Sequence, residues 1–287
     1  MLKKFLYSFI GVLGAITIAG CAVLGLSTPA PQVAVVLPQT QQASAIQPIV
    51  DDIEEPAPSE AVPAQTDITP IPKKASNPCP QPTKEYPDYS YLDVGQDVSI
   101  PDKTYIPSDL TLLDKSISTS SICLKKDAAE ALTTMIQAAK KDGYDIKVSS
   151  GFRSYNTQEG ILSRDIASGN PNATKLVAKP GYSEHQLGMA VDLTSASIAD
   201  ASAAVKFGST KEFTWLQNHA YQYGFIQSYP EGKEDITGYM NEAWHYRFIG
   251  IDNAALIVQN GQTTNQFLKQ LNDTAVAVKN FLQKLAK

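Results

Sequence analysis

The sequence predicts an α+β domain, an antiparallel sheet flanked by helices. Three observations carry this: long runs at helical spacing, short runs that alternate, and an order that mixes the two without a regular βαβ rhythm. Asp127-Ala128-Ala129-Glu130 has the form of a capping box and is expected to open the first helix. Ala128, Ala131, Leu132, Met135, Ile136 and Ala139 then recur at helical spacing, and Gly143 ends the run. Residues 145–149 alternate around Ile146 and Val148, a short strand. The turn Ser150-Gly151-Phe152-Arg153-Ser154 feeds a second helix through Gln158, Ile161, Leu162 and Ile166, which Gly169-Asn170-Pro171 stops. From 188 to 194, Met189, Val191 and Leu193 alternate with Ala190, Asp192 and Thr194, so Asp192 faces away from the larger apolar side chains. A third helix is expected over 209–223 with Gly224 as its C-terminal cap, and residues 225–229 and 244–249 read as further strands.

Composition divides the chain into four regions. Met1-Leu2-Lys3-Lys4 precedes an almost wholly apolar run from Phe5 to Leu26, the pattern of an export segment. Two leading readings stand for residues 1–26, ahead of a fully released protein: an uncleaved membrane anchor, or a lipidated Cys21 in Ile18-Ala19-Gly20-Cys21. Both tether the protein outside the cytoplasm, at the bacterial cell membrane. Residues 27–87 are rich in Pro, Ala, Gln, Ser and Thr and are expected to form an extended, disordered stalk. The folded domain is expected over 88–261, its start moving to near Cys79 if Cys79 and Cys123 pair. In the last region, 262–287, Leu268, Leu271, Ala275, Val278, Leu282 and Leu285 form the seam of a helix expected to pack on its own domain, with self-association the alternative; a monomer is expected.

Net charge is −5, from 24 basic and 29 acidic residues, with no basic run beyond Lys3-Lys4. Nucleic-acid binding has no electrostatic footprint here. With Cys21 in the anchor, Cys79 and Cys123 remain; an oxidising compartment favours a disulfide, the alternative being two inert buried thiols.

The chain has three histidines, and two lie beside carboxylates: Ser183-Glu184-His185-Gln186-Leu187-Gly188-Met189-Ala190-Val191-Asp192 and Glu242-Ala243-Trp244-His245. A catalytic zinc site needs three N or O ligands, an open position and a base. His185, Asp192 and His245 supply the ligands and Glu242 the base. His185 and Asp192 are seven apart across a loop and a strand, so this is not the helical metalloprotease pattern. The small Gly188 and Ala190 let the backbone pass close to the metal or a neighbouring element. In a regular strand, positions 242 and 245 face opposite sides, so Glu242 is expected in a turn before the strand. Arg153, at a strand-to-helix turn, suits a carboxylate or a developing oxyanion. His219, inside the third helix, is read as structural.

Several ordered motifs resemble the zinc D-alanyl-D-alanine carboxypeptidases of the vancomycin-resistance type and the related L,D-carboxypeptidases. They are Ser149-Ser150-Gly151-Phe152-Arg153-Ser154 with Gln158, Pro180 to Gly188, Trp215-Leu216 to Ile226, Tyr229-Pro230, Gly232-Lys233-Glu234 to Tyr239, and Glu242 to Gly250. The resemblance implies a Hedgehog/D-Ala-D-Ala-peptidase-like fold and one zinc ion per chain on His185, Asp192 and His245. It implies Glu242 as general base, with Arg153, Gln158, Ser183 and Tyr229 around the substrate. The activity it implies is removal of the terminal D-alanine from peptidoglycan stem peptides at a D,D or L,D bond. The alternatives are an endopeptidase of the same fold and a non-catalytic wall-binding zinc module. Two departures stand out: Ser228 where the family often has Arg, expected to alter the grip on the peptide end, and Ala243 where it often has Pro. Loops 171–181 and 231–241 are expected to set bond preference.

Overall fold

The computed structural model describes residues 77–196, 198 and 206–285. The expected membrane segment (1–26) and most of the expected stalk (27–76) lie outside the described residues. No helix among the described residues is long and apolar enough to cross a membrane.

The elements run β1 (Leu110–Leu112), β2 (Cys123–Lys125), α1 (Lys126–Lys141), β3 (Ile146–Ser150), α2 (Tyr155–Ala167), α3 (Ala173–Leu176), β4 (Ala190–Ser195), α4 (Lys211–His219), β5 (Phe225–Gln227), α5 (Glu234–Thr237), β6 (His245–Phe248), α6 (Ile251–Gln259) and α7 (Thr264–Leu285). Strands β3-β4-β6-β5 form an antiparallel sheet, and β1-β2 a separate antiparallel pair. One face of the sheet, with Val148, Val191, Leu193 and Tyr246, packs on α1 residues Leu132, Met135 and Ile136 and on Trp215 and Leu216 of α4. Period-two alternation then leaves Asp192 and His245 on the other face.

Three details differ from expectation, each for a local reason. Strand β2 runs straight into α1, so the helix starts one residue before Asp127. Its N-cap is Lys125 with no side-chain cap hydrogen bond, and Asp127 sits in the first turn, favourable to the helix dipole. The third helix tightens to a 3₁₀ turn at Ala220–Tyr223 before Gly224. In α2 only Gln158 is buried, and Ile166 is 55% exposed, so apolar packing does not fix this helix.

The folded unit begins N-terminal to residue 88, near Cys79, as the Cys79–Cys123 pairing requires. Cys79 is buried and joined to Cys123 at the start of β2, so residues 77–87 belong to the domain rather than the stalk. The first turns of the C-terminal helix pack on the domain. Phe267, Leu268 and Leu271 of α7 share a core cluster with Ile249, Ala254 and Ile257. Beyond them the seam opens to solvent, with Leu282 and Leu285 exposed.

Candidate active site

Strand register builds the site. Asp192 of β4 pairs directly with His245 of β6, which puts their side chains side by side on one face. His245 Nδ1 lies 3.1 Å from Asp192 Oδ1. His185 enters from the 3₁₀ turn Glu184–Leu187 just before β4, its Nε2 3.2 Å from the same Asp192 oxygen. The Ser183 hydroxyl starts that turn by accepting from His185 N–H. Gly188 ends it at φ 69°, where an added Cβ would sit 3.0 Å from Leu110 of β1; the close approach is to β1, not to the metal position.

Backbone geometry fixes which nitrogen of each imidazole faces the site. His185 Nδ1 donates to the carbonyl of Gly151 at 2.7 Å, leaving Nε2 as the ligand atom. Gly151 has to be glycine for this approach, since a Cβ would come within 2.5 Å of Ile122 and 2.8 Å of the Cys123 carbonyl. His245 Nε2 donates to Glu184 Oε2 at 2.9 Å, which turns Nδ1 toward Asp192.

These atoms fit zinc. Ligand atoms about 2.0–2.1 Å from a tetrahedral ion lie about 3.3 Å apart, and the two contacts to Asp192 Oδ1 are 3.2 and 3.1 Å. All three ligand atoms lie within 4.8 Å of one another. Burial, and after it the Arg153 cation, pushes His185 down to about 4, so it is neutral at physiological pH. His245 is buried too, but its bonds to Asp192 and Glu184 override that and raise it to about 10. Zinc binding at Nδ1 therefore displaces a proton there.

Glu242 occupies the irregular stretch before β6, as the facing argument requires, with its N–H on the Tyr229 carbonyl. One carboxylate oxygen is 3.8 Å from His245 Nδ1. Burial pushes its carboxyl up to about 8, a cost that a cation beside it offsets. Arg153 Nη2 stands 3.9 Å from Asp192, and its buried Nε has no partner among the described residues. Gln158 donates from Nε2 to the Ala178 carbonyl, which leaves its buried Oε1 unpartnered among the described residues. Tyr229 stacks on His245, ring centroids 4.9 Å apart. Arg153, Gln158, Ser183 and Tyr229 join the three metal-ligand residues and Glu242 around one cleft of about 280 Å³. Leu176 to Ala178 and Tyr239, from the two loops expected to set bond preference, line it as well. His219 lies elsewhere: its Nδ1 contacts the Trp215 carbonyl and its ring stacks on the Trp215 indole.

Sequence reasoning missed Glu184 and Arg247. Both are fully buried and paired at 2.9 Å; Arg247 also donates to the Ser90 and Leu92 carbonyls. Ser228, expected at the peptide end, is buried instead and donates to Glu184 Oε2 at 2.6 Å. The available signal was position: Arg247 lies two residues after His245, on the same strand face, and Glu184 directly precedes His185.

A family model described as VanY: D-alanyl-D-alanine carboxypeptidase matches residues 121–251. The putative carboxypeptidase YodJ of Bacillus subtilis (strain 168) is 42% identical over 173 residues, 58% of this chain and 63% of that protein. This chain thus spans less than two thirds of that relative. The solved LdcB LD-carboxypeptidase superposes with a TM-score of 0.54 at 39% identity, over 61% of this chain and 84% of that one. A D,D-pentapeptidase VanY variant from a VanB-type vancomycin-resistance cassette, solved with Zn(II), gives 0.54 at 30% identity, over 63% and 99%. The matched family region begins before β2 and ends after β6, so it contains His185, Asp192, Glu242 and His245. With that span and those identities, the chain belongs to the VanY family of D-alanyl-D-alanine carboxypeptidases.

Proposed function

We propose that this chain is a zinc-dependent carboxypeptidase that removes the terminal D-alanine from peptidoglycan stem peptides. The observation that carries the reading is the Asp192–His245 register with Glu242 held 3.8 Å from the histidine at the edge of the cleft. Zinc, when bound, supplies Lewis-acid polarisation of water and of the scissile carbonyl. Glu242 takes the proton from the attacking water and delivers it to the leaving amine, in keeping with a carboxylate whose affinity for protons burial has raised. Arg153 lines the cleft, with its Nε unpartnered among the described residues, and is the group offered to charge developing on the carbonyl oxygen or to the terminal carboxylate. Gln158 Oε1 is an acceptor for a substrate N–H. Glu242→Gln is expected to keep stoichiometric zinc and lose at least about 10²-fold in hydrolysis. Retention of more than a few per cent of activity in zinc-loaded Glu242→Gln rules out this base.

We also propose that the domain works outside the cytoplasm, tethered to the membrane by residues 1–26 and acting as a monomer. The apolar run behind Lys3-Lys4 supports the tether, and a Cys79–Cys123 disulfide suits an oxidising compartment. As a flexible coil, the segment before Asn77 spans roughly 40 Å, enough to hold the cleft away from a bilayer. Protease added to intact cells should release the folded domain; a domain that stays protected until lysis contradicts the placement.

A further inference from the structure

Of the three metal-ligand residues and the base, only Glu242 lies outside a strand or a helical turn. It opens a four-residue turn that ends at His245. The Glu242 carbonyl accepts from the His245 N–H at 3.3 Å, a long bond, with Ala243 and Trp244 at the corner. Ala243 does not restrict the first corner φ as a proline would. A turn closed by one long bond needs further support if it is to aim a base. Misplacing a reacting group by about 1 Å can cost about 10²-fold in rate.

Gln227, the last residue of β5, supplies that support. It pairs with Tyr246 of β6, so the two share the sheet face that packs on α1 and α4, opposite the metal ligands. From there its side chain reaches the chain just before β6. Gln227 Nε2 donates to the Glu242 carbonyl and to Asn241 Oδ1, each at 3.1 Å, with the Tyr229 carbonyl a third acceptor at 3.4 Å. An amide nitrogen carries two hydrogens, so the two shorter contacts take them and the longest is shared. The Tyr229 carbonyl also receives the Glu242 N–H at 2.9 Å. One side-chain amide therefore grips the base's own carbonyl, the residue before it and the acceptor of its N–H.

We propose that Gln227 is a positioning residue for Glu242: its amide fixes the turn that aims the base, without touching substrate or metal. This assignment rests on the carboxypeptidase reading and deepens it by naming what holds the base in place. His245 is held by other means, through the pairing of β6 with β4 and its bond to Glu184. Loss of the Gln227 amide should thus move the base and spare the metal.

The test compares the full zinc-loaded chain with Gln227→Met, similar in length but without a donor, and with Gln227→Lys, which keeps one. On a D-alanine-terminated peptide, Gln227→Met is expected to lower kcat by about tenfold, with KM within about twofold and zinc still stoichiometric. Gln227→Lys should recover most of that loss. A lower Tm with kcat of the folded protein unchanged would mark a role in folding alone and overturn the assignment, as would equal losses in the two variants. Proline at the corner fixes the turn by itself, so Gln227→Met should cost less kcat in an Ala243→Pro background; an equal cost there also overturns it. Hydrogen exchange needs no turnover and separates the two readings. The amides of residues 241–244 should exchange about tenfold faster in Gln227→Met, with those of β4 unchanged. That result in a protein whose wild type cleaves no peptide leaves the clamp standing and removes the carboxypeptidase; cleavage by the wild type with exchange unchanged in Gln227→Met does the reverse.

Discussion

Glu184 governs a metal ligand without being one. It holds the Nε2–H of His245, takes the Arg247 guanidinium and accepts from Ser228, all in a fully buried setting. Removing it leaves Arg247 charged and unpaired in the core, a loss on the order of 3–5 kcal/mol. It also frees the His245 ring to turn, so zinc affinity should fall by about 10–100-fold. Glu184→Ala should therefore lower both Tm and zinc occupancy, while His219→Ala should leave zinc occupancy intact. The reverse pattern would put the ligand set in the wrong place. Burial pushes the Glu184 carboxyl up, but Arg247 and His245 prevail and hold it at about 2, below its ordinary 4.5. A depressed folded value contributes stability above 4.5 and loses it as pH falls toward 2. Chelator-treated protein should lose Tm across that window, and Glu184→Gln should flatten the slope. Equal slopes in the two proteins would contradict this account of the network.

Among the elements, the disulfide and α7 tie down the two ends of the described domain. The Cys79–Cys123 bridge closes a loop with a sequence separation of 44, and replacing both cysteines with Ala should cost about 2–4 kcal/mol. A protein beginning at Asn77 should show no free thiol when oxidised; two free thiols would remove the bridge. Leu268 is fully buried at the start of α7, so Leu268→Ala should lose about 2–5 kcal/mol, whereas Leu285→Ala, 69% exposed, should change stability little. A similar Tm loss for both would mean that the outer half of the helix is covered in solution. Element type was legible in the sequence because β3, β4, β6 and α1 carry clean periodicities. Boundaries were less so: α1 starts early because β2 leads directly into it, and the start of the domain was legible only through the pairing of Cys79 with Cys123, in a segment whose composition reads as linker.

For the whole molecule, the parts of the site legible in sequence were those that carry their chemistry in short motifs. His185 and Asp192 share one segment, and Glu242 and His245 another; the Asp192–His245 strand pairing joins the two. The supporting layer was not legible. Glu184, Arg247, Ser228 and the Ser90 and Leu92 carbonyls come together from four separated stretches, and no local pattern marks a buried salt bridge assembled that way. Ser228 illustrates the point. As a departure from a family pattern it drew attention to the substrate, yet its hydroxyl serves the layer beneath the metal. The proposed chemistry is hydrolysis of the bond before a terminal D-alanine by the His185–Asp192–His245 site with Glu242. Mass spectrometry of a stem pentapeptide and a stem tetrapeptide after incubation with the purified protein tests it most directly. The expected result is loss of one alanine from at least one peptide, abolished by chelator, restored by zinc and absent in Glu242→Gln. Peptides left whole by zinc-loaded wild-type protein, or shortened equally by Glu242→Gln, would contradict it.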